Sequence, residues 1–269
     1  MTASLIPSPR PRFIGFVNWL GLGTLIAKEI ERFLGVYTTT ILAPVVTTLL
    51  YFTVFAFAFG GSLRSVGAVP FLAFLAPGLV MMSMAQNAFI NTSSSLVISK
   101  IQGNIVDVLM PPLSSFELMA GYALGGLARG LVVGAVSVAC LAFLAPMAVH
   151  SLFFILYHAI MGSMMLALVG IMGGLWSEKW DHLAAVQNFI VLPATFLSGT
   201  FYSINLLPQS WQFLCRLNPF FYMIDGFRFG FIGVADGNLL IGLLVMFEIN
   251  LVLLWAAHSL IAGGYKLKA

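Results

Sequence analysis

Six stretches of this 269-residue chain are apolar enough and long enough to cross a bilayer, which leaves few folds open to it. Hydrocarbon about 30 Å thick takes roughly 20 apolar residues as helix, and lipid offers loose backbone no hydrogen-bond partner. The candidate spans are residues 38–59, 70–97, 119–144, 151–176, 183–201 and 239–262. Hydrophobic residues make up 60% of the chain and charged ones 8%, against about a quarter charged in a soluble domain. No water-soluble stretch is long enough for a separate domain. The expectation is an all-α membrane protein, with residues 1–37 as a cytoplasmic leader and interfacial helix and 38–269 as a single transmembrane domain. The alternative count is five spans plus a fully re-entrant hairpin.

The leader MTASLIPSPRPRF is interrupted by proline and lacks a compact apolar core, so it does not read as a cleavable signal peptide. The first span is then expected to direct insertion. Residues 13–36 set Lys28, Glu29, Glu31 and Arg32 beside Trp19, Leu20, Leu25 and Phe33, a pattern suited to an interfacial amphipathic helix. Orientation follows the Lys/Arg bias. With the N-terminus inside, cytoplasmic segments hold Arg10, Arg12, Lys28, Arg32, Lys100, Lys179, Lys266 and Lys268, and outer ones hold Arg64, Arg216 and Arg228. Eight against three places both termini in the cytoplasm.

Several chemistries are excluded by what is missing. None of the five lysines precedes Ser or Thr, so the phosphate-cradling P-loop is absent. His150, His158, His182 and His258 show no helical metal-site spacing, and Cys140 and Cys215 no redox or metal spacing. Ser198-Gly199 follows Phe196 and Leu197, without the preceding Gly of an intramembrane serine protease. Thinly spread basic residues argue against a nucleic-acid partner. Neither an enzyme nor a bound cofactor is expected in this chain.

Two charges fall deep in predicted spans, Arg129 in the third and Glu248 in the sixth. A lone charge at that depth costs at least about 2.5–3.5 kcal/mol. They are therefore expected to face each other or to share one cavity; the alternative is that each reaches a backbone carbonyl or a different partner. An ion-coupled secondary transporter relaying through Arg129 and Glu248 is the alternative function. Gly121, Gly125, Gly126, Gly130 and Gly134 form small-xxx-small patterns that let helices approach closely, either within the subunit or at a dimer seam. Phe52, Phe55 and Phe59 at helical spacing, with Phe196, are candidates to line a path; lipid-facing or helix-packing roles are the alternative.

Two interrupted segments carry the functional signal. Residues 100–117, KIQGNIVDVLMPPLSSFE, combine Gly103, Asp107, Pro111-Pro112 and a Ser114-x-x-Glu117 capping box. They predict a short stiff cytoplasmic helix ahead of a capped third span, a knob for docking. Residues 196–228 leave helix at Ser198-Gly199, pass Pro208 and Asn218-Pro219, and end in Asp225 and Arg228. Backbone that leaves helix at membrane depth must be buried in protein or line a watery cavity. A folded-back extracytoplasmic helical element before the last span is expected.

In that order, the two segments resemble the ABC-2 family of bacterial ABC-transporter permeases, over nearly the whole chain. The resemblance implies a permease half of an ATP-driven exporter, pairing with a second copy and resting on two copies of a separate ABC ATPase that binds the ATP and Mg. Gly103, Asp107, Pro112, Ser114 and Glu117 would then form the ATPase coupling region. Ser198, Gly199, Pro208, Asn218, Pro219, Asp225 and Arg228 would form the outer re-entrant segment. The setting is the bacterial inner membrane with its lipids, and the cargo a lipid-linked, glycan-like or drug-like molecule.

Overall fold

The computed structural model describes residues 15–59, 65–66 and 69–267, Phe59 without its side chain. Arg10, Arg12, Arg64 and Lys268, used above for orientation, lie outside the described residues. The chain runs through α1 (Trp19–Leu34), α2 (Ala43–Phe59), α3 (Phe71–Ile101), α4 (Ile105–Leu109), α5 (Ser115–Leu141), α6 (Leu152–Trp176), α7 (Trp180–Val186), α8 (Leu192–Phe196), α9 (Gln209–Leu217), α10 (Pro219–Ile232) and α11 (Leu239–Ala262). A π-helical turn, Thr38–Leu42, leads into α2, and another, Gln187–Val191, joins α7 to α8. A two-residue antiparallel pairing, Ser65–Val66 with Val69–Pro70, precedes α3.

Among the described residues, five helices are long and apolar enough to cross a membrane: Thr38–Ala58, α3, α5, α6 and α11. Each falls within a few residues of a predicted span. The predicted fifth span, 183–201, instead forms the shorter run Trp180–Phe196, which passes through the π turn and carries Pro193 in α8.

The helices pack around α3, which is buried along nearly its whole length. Its neighbours are α5, α6, α10 and α2, with α11 packed on α6 and α10, and α1 on α5. Lipid gives apolar side chains little reason to leave it, so helices in a bilayer associate through close packing and buried polar bonds. The glycines supply the first. A Cβ on Gly126 would lie 3.0 Å from the Ala88 carbonyl oxygen of α3 and the Ala167 Cβ of α6. One on Gly130 would lie 3.0 Å from the Met84 carbonyl oxygen and 2.9 Å from Ser163 Oγ. The glycine stripe of α5 therefore packs within the subunit. Thr92 supplies the second, donating across to the Ala167 carbonyl at 2.8 Å.

The amphipathic helix is α1, but part of its charge faces inward. Leu25, Glu29 and Phe33 form its buried stripe. Glu29 is fully buried, accepting from Ser95 Oγ at 2.7 Å and from Arg32 at 2.9 Å, and Arg32 also donates to Asn91 Oδ1. A polar interior in α3 receives Glu29 and part of Arg32, while Lys28 and Glu31 are exposed.

Candidate functional site

The most informative side chain is Glu117. Ser114 caps α5 through the expected reciprocal capping box, with Ser114 N donating to Glu117 Oε2 at 2.6 Å. The other carboxylate oxygen accepts from the backbone N–H of Asn18 at 2.6 Å. Asn18 caps α1 through Gly21 N and donates its side-chain amide to the Pro112 carbonyl. One carboxylate thus satisfies orphan donors at the starts of two helices and ties α1, the Pro111-Pro112 turn and α5 into a single node.

Below that node stands α4. Gly103 enters it with φ +73°, a conformation that suits glycine. Ile105 anchors α4 inward, while Asp107, Pro112 and Ser114 are exposed beside Ile101, Val106, Leu109 and Met110. A hollow of about 580 Å³ separates α4 from α1, lined in part by Asn18, Lys28 and Asp107. A second, about 790 Å³, lies on its other side against Glu178 and Lys266. These two groups pair at 2.6 Å; the bond from Lys266 holds the Glu178 carboxyl below its usual range and raises the lysine. Lys100 donates to the Leu175 carbonyl, so α3, α6 and the segment after α11 meet at this end. An exposed apolar knob between two hollows is a shape that another protein can grip.

The opposite end holds the folded-back segment. Gly199 turns the chain with φ +74°. Ser198 is buried and bonds the Thr195 carbonyl. Pro208 precedes α9, and Asn218 caps α10 while donating to the Ala194 carbonyl at 2.7 Å, with Pro219 at the first helical position. Arg228 is 1% exposed, lies over the Phe74 ring, and donates to the carbonyls of Phe74, Gly199 and Thr200. Asp225 accepts from Asp236 N and Gly237 N, each at 2.9 Å. Asp236 in turn accepts from Ser203 Oγ and Ile204 N. All seven residues named from the sequence thus build or border one latch.

The two deep charges are not brought together. Arg129 on α5 is buried, and its Nη2 donates to Asn87 Oδ1 at 2.9 Å. Glu248 lies on the exposed side of α11, near Leu244, Leu251 and Val252. Among the described residues no ion pair includes either one. The expected pairing fails because Arg129 faces α3, while the face of α11 that carries Glu248 turns outward. Arg129 instead borders a cavity of about 440 Å³ between α2, α3 and the π turn Gln187–Val191.

The aromatic candidates divide. Phe52 is buried in the core, and the side chain of Phe59 lies outside the described residues. Phe55 and Phe196 both stack on Phe201, at centroid distances of 4.6 and 5.0 Å. A ladder of three rings therefore runs from α2 to the folded-back segment.

Residues 21–232 match the family described as ABC-2 type transporter. The chain belongs to this family. Relatives named inner membrane transport permease YadH, from Escherichia coli K12, Escherichia coli O157:H7 and Shigella flexneri, are each 38% identical over 253 residues, 93% of this chain and 98% of theirs. As an ABC-2 protein the chain is a transmembrane transport subunit rather than an enzyme, and membership implies a partner ATPase. Within this ABC-2 subunit, sequence reading missed Asn18, Asp236 and Phe201. Asn18 stands just before an apolar-periodic run, an N-cap signal that marks the start of α1. Nothing local marks Asp236 or Phe201: the partners of the Asp236 side chain lie 31 to 33 residues away, and those of Phe201 lie in two separate elements.

Proposed function

We propose that this protein is the permease half of an ATP-driven exporter in the bacterial inner membrane, working as a homodimer on two copies of a separate ATPase. The setting follows that of its relatives, which are named inner membrane transport permeases. The observation that carries the reading is the Glu117 node. A force applied to α4 reaches α1 and α5 through one carboxylate, without a flexible linker. The exposed apolar residues of α4 and its two flanking hollows support that face as the ATPase seat.

In this reading Trp180–Phe196 is a sixth, short crossing, both termini are cytoplasmic, and residues 197–232 form the re-entrant element outside. The exposed Trp211, Phe213, Leu214 and Leu217 of α9 suit a membrane interface. The cargo is a lipid-linked or glycan-like molecule, since rings such as Phe55, Phe196 and Phe201 offer flat faces for sugars. ATP and Mg belong to the partner, and this chain holds no cofactor; residues 1–37 serve as leader and interfacial helix to the single domain 38–269.

Purification of the tagged protein from its native membrane in mild detergent, followed by mass spectrometry, tests this. A stoichiometric soluble protein with a P-loop is expected, and Met110→Asp should release it while leaving the permease in the membrane. A chain that emerges without an ATPase even after crosslinking sinks the proposal.

A further inference from the structure

The cavity beside Arg129 is polar where a membrane protein is ordinarily greasy. Thr39, Thr48, Tyr51, Gln86, Asn87 and Gln187 line it together with Arg129, and no Asp or Glu is among its lining residues. Arg129 is 6% exposed and offers five N–H donors. Asn87 takes one of them, and Nε has no partner among the described residues. The amide nitrogen of Gln86, also buried, has none either. Arg32, the nearby cation, is already engaged by Glu29 and Asn91. The positive charge of Arg129 is therefore uncompensated by any side chain that lines its cavity.

Local backbone marks the same place. Both π-helical turns of the chain's described residues border this cavity, one giving Thr39 and the other Gln187. Such turns widen a helix and tend to accompany functional sites. The cavity lies deep: Arg129 is about 21 Å along α5 from Ser115, at 1.5 Å per residue. Tyr51 lines it, and Phe55, one helical turn further along α2, begins the ring ladder.

We propose that this cavity is an anion site, built to hold the phosphate of an amphipathic molecule during its passage. Arg129 supplies the charge and a planar fork suited to phosphate oxygens. Gln86 and Gln187 supply neutral donors. Apolar Leu79, Met82 and Ile90 on the cavity wall suit the chain attached to that phosphate. The inference rests on the transport reading for its meaning, but its binding chemistry can be tested without the ATPase.

The test uses the purified full chain in neutral detergent, with short-chain phosphatidate, inorganic phosphate and a neutral alkyl glucoside as probes. Binding is read by native mass spectrometry and by the midpoint of thermal unfolding. Phosphatidate should bind and raise the midpoint of the native protein, and the glucoside should not. Arg129→Gln should weaken binding at least about tenfold, the effect of losing a charge-assisted contact, while Arg129→Lys keeps part of it. Thr47→Phe, which fills the cavity from α2 and leaves Arg129 in place, should also abolish binding; it decides the matter if Arg129→Gln fails to fold. A response to inorganic phosphate as well assigns the site to the phosphate alone, and no response to it assigns the site to the whole amphiphile. Both support the proposal. Equal phosphatidate binding in the native protein, Arg129→Gln and Thr47→Phe, or equal binding of the glucoside, overturns it. Loss of the ATPase complex with phosphatidate binding intact would count against the exporter reading alone.

Discussion

Two glycines one turn apart on α6 should respond in opposite ways to the same substitution. A Cβ on Gly170 would sit 2.5 Å from the Phe89 carbonyl oxygen and 3.1 Å from Phe89 Cα, both backbone atoms of α3. Neither can rotate away, so α3 and α6 must separate by roughly 1 Å, enough to forfeit a quarter to a half of the dispersion well across the seam. The same shift strains the bond from Thr92 Oγ1 to the Ala167 carbonyl, 2.8 Å in the native packing. Overpacking of this kind costs about 1–3 kcal/mol, and an interhelical hydrogen bond in a membrane protein adds about 0.6–1.7 kcal/mol. Gly170→Ala should therefore destabilise by about 2–4 kcal/mol. A Cβ on Gly173 meets only Phe89 Cε2, at 3.6 Å, and atoms further away. Gly173→Ala should be neutral or stabilising by up to about 1 kcal/mol, the helix preference of Ala over Gly. Reversible unfolding in mixed micelles, titrated with SDS, measures both. If the two variants fall within about 0.5 kcal/mol of each other, then backbone-distance packing of α3 on α6 is not what holds the subunit together.

Two further substitutions probe the ends of the bundle. Glu117→Gln keeps one acceptor but turns an NH₂ toward a backbone donor, so the bond to Asn18 N or to Ser114 N is lost. Hydrogen exchange of the Asn18–Leu22 amides should then rise about tenfold, and unchanged protection there would show that the node does not hold α1. Arg228→Met leaves the Gly199 and Thr200 carbonyls short of a donor, and Arg228→Lys cannot both fork to them and stack on Phe74. Both should expose residues 198–207 to limited proteolysis, Met more than Lys, and resistance equal to the native protein would mean that the latch lies elsewhere.

What could be read in advance depended on whether a property is carried along the chain or between elements. Run length and capping are local, so α2, α3, α5, α6, α11 and the Ser114–Glu117 box were visible. A span that is apolar all round has no stripe to mark its inward face. For that reason Arg129 and Glu248 could be placed in depth but not in direction, and their supposed pairing failed. Charge on α1 misled in a related way: a polar residue on an amphipathic helix faces water only if no polar interior is offered. Here α3 offers Asn91 and Ser95. The predicted fifth span came out short because its helix ends at Phe196, ahead of the Gly199 turn, and its π turn has no comparably simple signal in the sequence.

The packing also says where motion can occur. Helices held at backbone distance do not slide continuously; they shift between discrete packings or move together. Glycine contacts lock α3, α5 and α6 in this way; Glu117 ties α5 to α1 and the turn after α4, and Arg228 ties the start of α3 to the folded-back segment. Of the five membrane-length helices among the described residues, the two outside this trio are α2 with its leading π turn and α11, which bury only 22% and 17% of their apolar windows in the subunit. The cavity beside Arg129 and the ring ladder both lie against α2, along the boundary between the locked trio and a helix with few partners. On the proposed reading, a push on α4 reaches the trio through α5, and the space that changes is the one α2 borders. A site for cargo belongs there, because binding is coupled to movement only across a boundary that moves.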